Sequence, residues 1–203
     1  NPRAAFILYR DIGPQHYAFQ AAFNMVTRDM DRKAAFYAAQ NLHAVLDGSY
    51  ERNDDIDLDL QLDQPPAEGS AKLVRTEADA ESMEHGGMEG LYVQTYTKSH
   101  GDFDELLVFY WSAEPSANKH IRRKATMTLA DPTWIAPLEI NLMAMPNVRL
   151  AKKQAGKEGL INPDSIDRLQ PRPLKAEVAD GVITLPVEVR DYPMLVKWAR
   201  LKE

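Results

Sequence analysis

The side chains that could do chemistry in this sequence are few and scattered. Asp55, Asp57 and Asp59 recur at every second position, and carboxylate oxygens are what a calcium ion prefers. On an extended strand, same-face residues lie about 6.6 Å apart at ~3.3 Å per residue, too open for one compact cation site. These acids therefore read as a solvated face, paired with basic residues such as Arg122, Arg123 and Lys124 on another strand. The five histidines (His16, His43, His85, His100 and His120) have no spacing that places two of them together on one helix, and no His-Glu-x-x-His occurs. They read as structural or surface residues. The glycine-rich stretch at residues 85–90 lacks the lysine of a phosphate loop, so a turn is expected there. No Gly-x-Ser-x-Gly nucleophile elbow is present. With no cysteine at all, disulfides, cysteine–zinc sites and a thiol nucleophile are excluded. No metal and no cofactor is expected.

Charge and length narrow the classes further. The formal net charge is −6, whereas a nucleic-acid binder carries a basic excess, so nucleic acid is not an expected partner. Apolar runs stop far short of the ~18 residues that a membrane span needs. The chain has 203 residues, 44% hydrophobic and 27% charged, which is globular composition with room for one domain, or one domain and a remnant of another. Asn1 is not an initiator, and no charged-then-apolar leader follows it, as expected of a processed or excerpted chain. The absence of cysteine leaves the compartment open.

The elements that must position these residues fall into two kinds. Residues 4–9 form a short continuous apolar run, suited to a strand buried on both faces. Asp11, Gly13 and Pro14 break it. The clearest helix follows, with Asp31 as its expected N-cap, Gly48 as its stop, and Ala34, Ala35, Ala38, Leu42, Val45 and Leu46 on one face. That stripe calls for a partner surface, because a lone helix of this length is marginal in water.

Beyond Gly48 the period changes to 2. Ile56, Leu58, Leu60 and Leu62 alternate with polar residues, which predicts a half-buried strand with these four facing in. Further strands are expected at 71–75, 91–97, 105–111, 125–129, 135–142, 148–150, 174–178, 182–189 and 194–198. Asp180 and Gly181 mark a tight hairpin. Loops are expected at 64–70, 81–90 and 152–173. Short strands with no clear helix between them predict an antiparallel β-sandwich. The fold class is mainly β, a sandwich over residues 49–203 preceded by a strand and helix in residues 1–48. One strand and one helix cannot form a core alone.

Several stretches carry a resemblance to a known architecture. Residues 6–11 resemble the eighth strand of a (β/α)8 barrel and its rim. Residues 23–42 resemble the last barrel helix, with Lys33, Ala35, Tyr37, Ala38 and Leu42 at matching places and alanine where proline is usual. Residues 107–111 and 187–196, the latter including Asp191, Tyr192 and Pro193, resemble strands of the appended sandwich. The order is similar to the C-terminal portion of clan A-type (β/α)8-barrel glycoside hydrolases, with a family-39-like architecture.

The resemblance implies a glycosidase that works with two carboxyl groups. In the family pattern both are glutamates at the ends of the fourth and seventh strands, upstream of Asn1. Residues 1–50 contain no glutamate; their acids are Asp11, Asp29, Asp31 and Asp47. The implied role of this chain is to brace the catalytic barrel, with no activity of its own. Its implied partners are an oligo- or polysaccharide and the upstream barrel segment. Tyr9, Arg10 and Asp11 would lie at the strand end where barrel enzymes bind substrate, making Tyr9 and Asp11 the candidate substrate-binding residues. Tyr110, Trp111, Trp134 and Trp198 could build a sugar platform, although tryptophan in a strand more often fills a core. The competing reading is a non-catalytic carbohydrate-binding or protein-interaction module.

Overall fold

The computed structural model describes residues 34–64, 73–82, 90–112, 122–142 and 171–202. The chain divides into two compact units, Asn1–Leu46 with Met143–Leu169, and Asp47–Leu142 with Gln170–Glu203. Outside the described residues lie the expected strands at 4–9 and 148–150, the Asp31 cap and most of the three expected loops.

In the first unit the described element is helix α1, Ala34–Val45. Its last turn closes with Leu46 N–H donating to the Leu42 carbonyl at 2.8 Å, just short of the expected stop at Gly48. Of the expected apolar stripe, Leu42 is 39% exposed. Periodicity marks an apolar face, but it does not say that a neighbour covers every residue on it.

The second unit is mainly β and almost wholly antiparallel. Its strands are β1 Glu51–Arg52, β2 Leu58–Leu62, β3 Leu73–Val74, β4 Leu91–Ser99, β5 Phe103–Ser112, β6 Arg122–Leu129, β7 Ile135–Asn141, β8 Arg172–Pro173, β9 Glu177–Ala179, β10 Val182–Arg190 and β11 Met194–Leu201. A seven-stranded sheet runs β1-β4-β5-β11-β7-β8, with β3 also on β4, and a four-stranded sheet runs β2-β6-β10-β9. The β3–β4 pairing is parallel. Strand β8 lies inside the expected loop at 152–173, a correction: Arg172 pairs with Glu139 across the ladder and its guanidinium reaches the Glu139 carboxylate at 2.7 Å.

A short helix also interrupts the strands, against expectation. Helix α2, Glu77–Glu81, is closed by a reciprocal cap in which Asp79 N–H donates to Thr76 Oγ1 at 3.2 Å and Thr76 N–H donates to Asp79 Oδ2 at 2.8 Å. The Thr-x-x-Asp spacing that does this is readable in the sequence.

The small sheet follows its period. Leu58 and Leu60 are buried while Asp57 is exposed and Asp59 half-exposed, and Ile56 and Leu62 pack against the same cluster. The hairpin between β9 and β10 is the expected one: Asp180 and Gly181 have φ of 52° and 79°, and Ala179 pairs with Val182 around them. A two-residue turn with positive φ at both positions matches the twist of antiparallel strands.

Both sheets contribute to one apolar cluster. Leu60, Met127, Leu129, Ile183 and Leu185 of the small sheet join Val93, Leu106, Val108, Tyr110, Val196 and Trp198 of the large one. The large sheet is also apolar on its other face. Leu107, Phe109 and Leu195 alternate with core residues along β5 and β11, and Ile140 of β7 is level with Leu195; all four are at most 5% exposed. Phe109, Leu195 and Ile140 are direct neighbours across β5, β11 and β7. Antiparallel sheets with one wet face alternate apolar and polar residues; a sheet apolar on both faces requires a layer on each side.

Candidate functional site

Polar chemistry in the second unit collects at one end of the large sheet. Asp104 and Glu105 are consecutive on β5, so their side chains leave opposite faces of the sheet.

On the core-side face, Arg200 of β11 is paired in register with Asp104. Its guanidinium donates to Asp104 Oδ2 at 2.9 Å and to Asp131 Oδ2 at 3.2 Å, and lies 4.4 Å from the centre of the Trp134 ring. Ser99 Oγ donates to Asp104 Oδ1 at 2.9 Å, and Lys202 Nζ stands 3.4 Å from the same oxygen. Arg200, then Ser99 and Lys202, hold the Asp104 carboxyl down at about 2. Asp131 is also pushed down: burial works against its charge, but hydrogen bonds from Thr133 and Arg200 outweigh it.

On the other face, the Tyr50 hydroxyl donates to Glu105 Oε2 at 2.6 Å, His100 Nε2 stands 3.1 Å from that oxygen, and Lys197 Nζ pairs with Oε1. Burial opposes the Glu105 charge, but these three groups outweigh it and hold the carboxyl below its usual range. Burial, followed by the Glu105 charge, pushes the Tyr50 phenol up. The His100 ring stacks on Phe103 at 4.3 Å.

Beside the Arg200 group opens a cleft of about 540 Å³. Its wall includes Glu51, Asn53, Ile56, Thr97, Lys98 and Trp134. Glu51 and Thr97 are register partners across β1 and β4, which brings carboxylate and hydroxyl to one side. Asn53 is fixed by its N–H to the Thr95 carbonyl at 3.0 Å and by the Thr95 hydroxyl on its own carbonyl. Lys98 is tied to Asp47 at 3.1 Å and lies over the Tyr50 ring.

The residues singled out from sequence fare unevenly. Tyr9, Arg10 and Asp11 lie outside the described residues, as do His16, His85 and His120. Asp55, Asp57 and Asp59 are not gathered at one point. Asp59 faces Thr128 on β6, not the basic residues 122–124, and accepts from the Gln61 amide at 2.6 Å. Among the described residues no group of three histidines, aspartates or glutamates is placed to hold a metal. Tyr110, Trp134 and Trp198 are core residues, at most 3% exposed. Trp111 is half-buried and stacks on Tyr92 with ring centres 5.1 Å apart. His43 is exposed.

Sequence reasoning missed Glu105, Asp104 and Arg200. Their signal, charged residues opening an apolar run and closing another, is visible only once β5 and β11 are known to pair.

Chemically, the Asp104, Asp131 and Glu105 carboxyls are neutralised by fixed cations and pushed down. A general acid needs a carboxyl pushed up. These groups hold the end of the sheet together. No family model matches the chain, and no curated protein matches it. No helix among the described residues is long and apolar enough to cross a membrane.

Proposed function

We propose that this chain is the C-terminal part of a glycoside hydrolase-like, carbohydrate-active protein. Its two sheets form a β-sandwich that braces a catalytic (β/α)8 barrel, and residues 1–48 are the end of that barrel. The observation that carries this reading is the element order: helix α1 is followed by a mainly β, two-sheet antiparallel unit, as in the architecture that the sequence resembles. The order of elements resembling the last barrel strand and helix supports the same assignment. In this reading the acid/base and nucleophile are upstream of Asn1, and Tyr9 and Asp11 contact the glycan at the barrel rim.

The test is an assay of the 203-residue chain and of a longer protein carrying the upstream segment, on aryl glycosides and polysaccharides. The expected result is turnover by the longer protein alone, with Asp11→Asn raising KM more than it lowers the melting temperature. Turnover by the short chain, abolished by a substitution within residues 51–203, overturns the reading. Glycan binding by the short chain, with turnover by neither, favours a non-catalytic carbohydrate-binding module instead.

A further inference from the structure

The cleft beside Arg200 has a lining that serves no part of the proposed bracing role. Its size falls within the ~300–1,000 Å³ of small-molecule sites. Asp104 and Asp131 are paired with Arg200, and Lys98 alternates to the other face of β4, where it is tied to Asp47, so the Glu51 carboxylate is the charge left without a cation in the lining. The Glu51 carboxylate repels an anion and accepts from hydroxyl donors, so a neutral hydroxyl-rich ligand is favoured over an anionic one.

The hydrogen-bonding groups divide into two sets. Asp104 and Arg200 are spent on each other and on their neighbours. They make a fixed wall, which lowers the ordering cost of binding. The Glu51 carboxylate, the Thr97 hydroxyl and the Asn53 amide nitrogen, by contrast, have no hydrogen-bond partner among the described residues. An acceptor, a group that both donates and accepts, and a donor stand side by side. That is the complement of vicinal hydroxyls, each of which donates and accepts in turn. Ile56 and Trp134 supply apolar wall between them. Trp134 is only 3% exposed and already carries Arg200 on its ring, so it forms floor rather than a stacking platform.

We infer that this cleft binds a short neutral saccharide, held by Glu51, Thr97 and Asn53. The site is built wholly from the two-sheet unit and needs no catalytic carboxylate. It goes beyond the bracing role, since it gives the sheets a glycan contact of their own.

The experiment titrates the 203-residue protein with cellohexaose, xylohexaose and mannohexaose, and with a galacturonic acid hexamer as the charged comparator. Calorimetry gives the affinity, and the Trp134 indole resonance reports on the cleft. The expected result is binding of at least one neutral hexamer in preference to the uronate, with a shift at Trp134. Glu51→Ala and Thr97→Val should each weaken it by about tenfold or more, the loss of a hydrogen bond to bound ligand, at unchanged melting temperature. Binding of none of the neutral hexamers, preference for the uronate, or affinity indifferent to both variants overturns the inference. If the short chain binds no saccharide while the longer protein hydrolyses glycosides, the cleft assignment falls and the bracing assignment stands. If the short chain binds a neutral saccharide while the longer protein hydrolyses nothing, the cleft assignment stands and the bracing assignment falls.

Discussion

The two sheets of the second unit are built on different patterns, and corresponding rows across them show how. In the small sheet, Asp59, Thr128, Thr184 and Glu177 form one row across β2, β6, β10 and β9 on the face away from the core. Every member is polar and at least partly exposed. In the large sheet, the corresponding row is Gln94, Phe109, Leu195 and Ile140 across β4, β5, β11 and β7. Three of its four members are buried and apolar. One row further along, Tyr96, Leu107 and Lys197 follow, and the next holds Lys98 and Glu105. Tyr96 also packs edge-on against Phe109 at 5.7 Å. The outer face of the large sheet thus grades from apolar in the middle to charged at the end where Glu105 sits.

The difference teaches that a shared core does not make two sheets equivalent. The small sheet is stabilised from one side and meets water on the other. The large sheet loses apolar area from water on both sides, at roughly 25 cal/mol per Å², so its strands contribute to stability twice.

The sharpest way to break this comparison is to place the same charge on each outer face. Leu107→Lys puts an ammonium where the native side chain is 0% exposed, with Lys197 as its register neighbour. It should cost at least about 4 kcal/mol, or abolish folding. Thr128→Lys, beside Asp59 on the small sheet, should stay within about 0.5 kcal/mol. Urea denaturation of both variants decides it: equal losses would mean that the two outer faces are alike.

A milder pair tests how well the second face is packed. Leu185→Ala removes a side chain from the shared core, and Leu195→Ala removes one from the outer face of the large sheet; both are at most 1% exposed. Each should cost ~2–5 kcal/mol if its site is tightly packed. A loss below about 1 kcal/mol for Leu195→Ala alone, read from the same denaturation curves, would show a loosely covered outer face.

The smallest effect concerns the charged end of the large sheet. Arg200, Ser99 and Lys202 hold the Asp104 carboxyl at about 2 in the folded chain, below its unfolded value of about 3.9. A depressed folded pKa adds stability that is complete above the unfolded value and is lost as pH falls through the folded one. The urea midpoint should therefore drop between about pH 4 and pH 2. Asp104→Asn should lower the midpoint at neutral pH and flatten that part of the acid profile. Parallel slopes for parent and variant would show that Asp104 does not link folding to pH.

What could be read in advance was local. The alternation of Ile56, Leu58, Leu60 and Leu62 with polar residues placed β2 and its buried face, because a side-chain period of 2 is a property of one strand. Asp180 and Gly181 placed the β9–β10 hairpin, because only residues tolerant of positive φ fit its turn. The Thr76–Asp79 cap was equally local and was available to be read.

The sequence by itself thus determined a mainly β chain, its strand periods and its tightest turn, since neighbouring residues suffice to encode them. Only the tertiary structure decided which strands adjoin. The unbroken apolar run from Leu106 to Trp111 states that both faces of β5 are dry, but not what lies beside it. Asp104 and Arg200 are 96 residues apart, and no period links them. Their pairing exists because β11 enters the large sheet next to β5, bringing Arg200 level with Asp104 and Lys197 within reach of Glu105. The same step separates Glu51 and Thr97, which remain open to the cleft, from the carboxylates that the fold has already neutralised. Charge neutralisation acts over a few ångströms in space, whatever the distance along the chain.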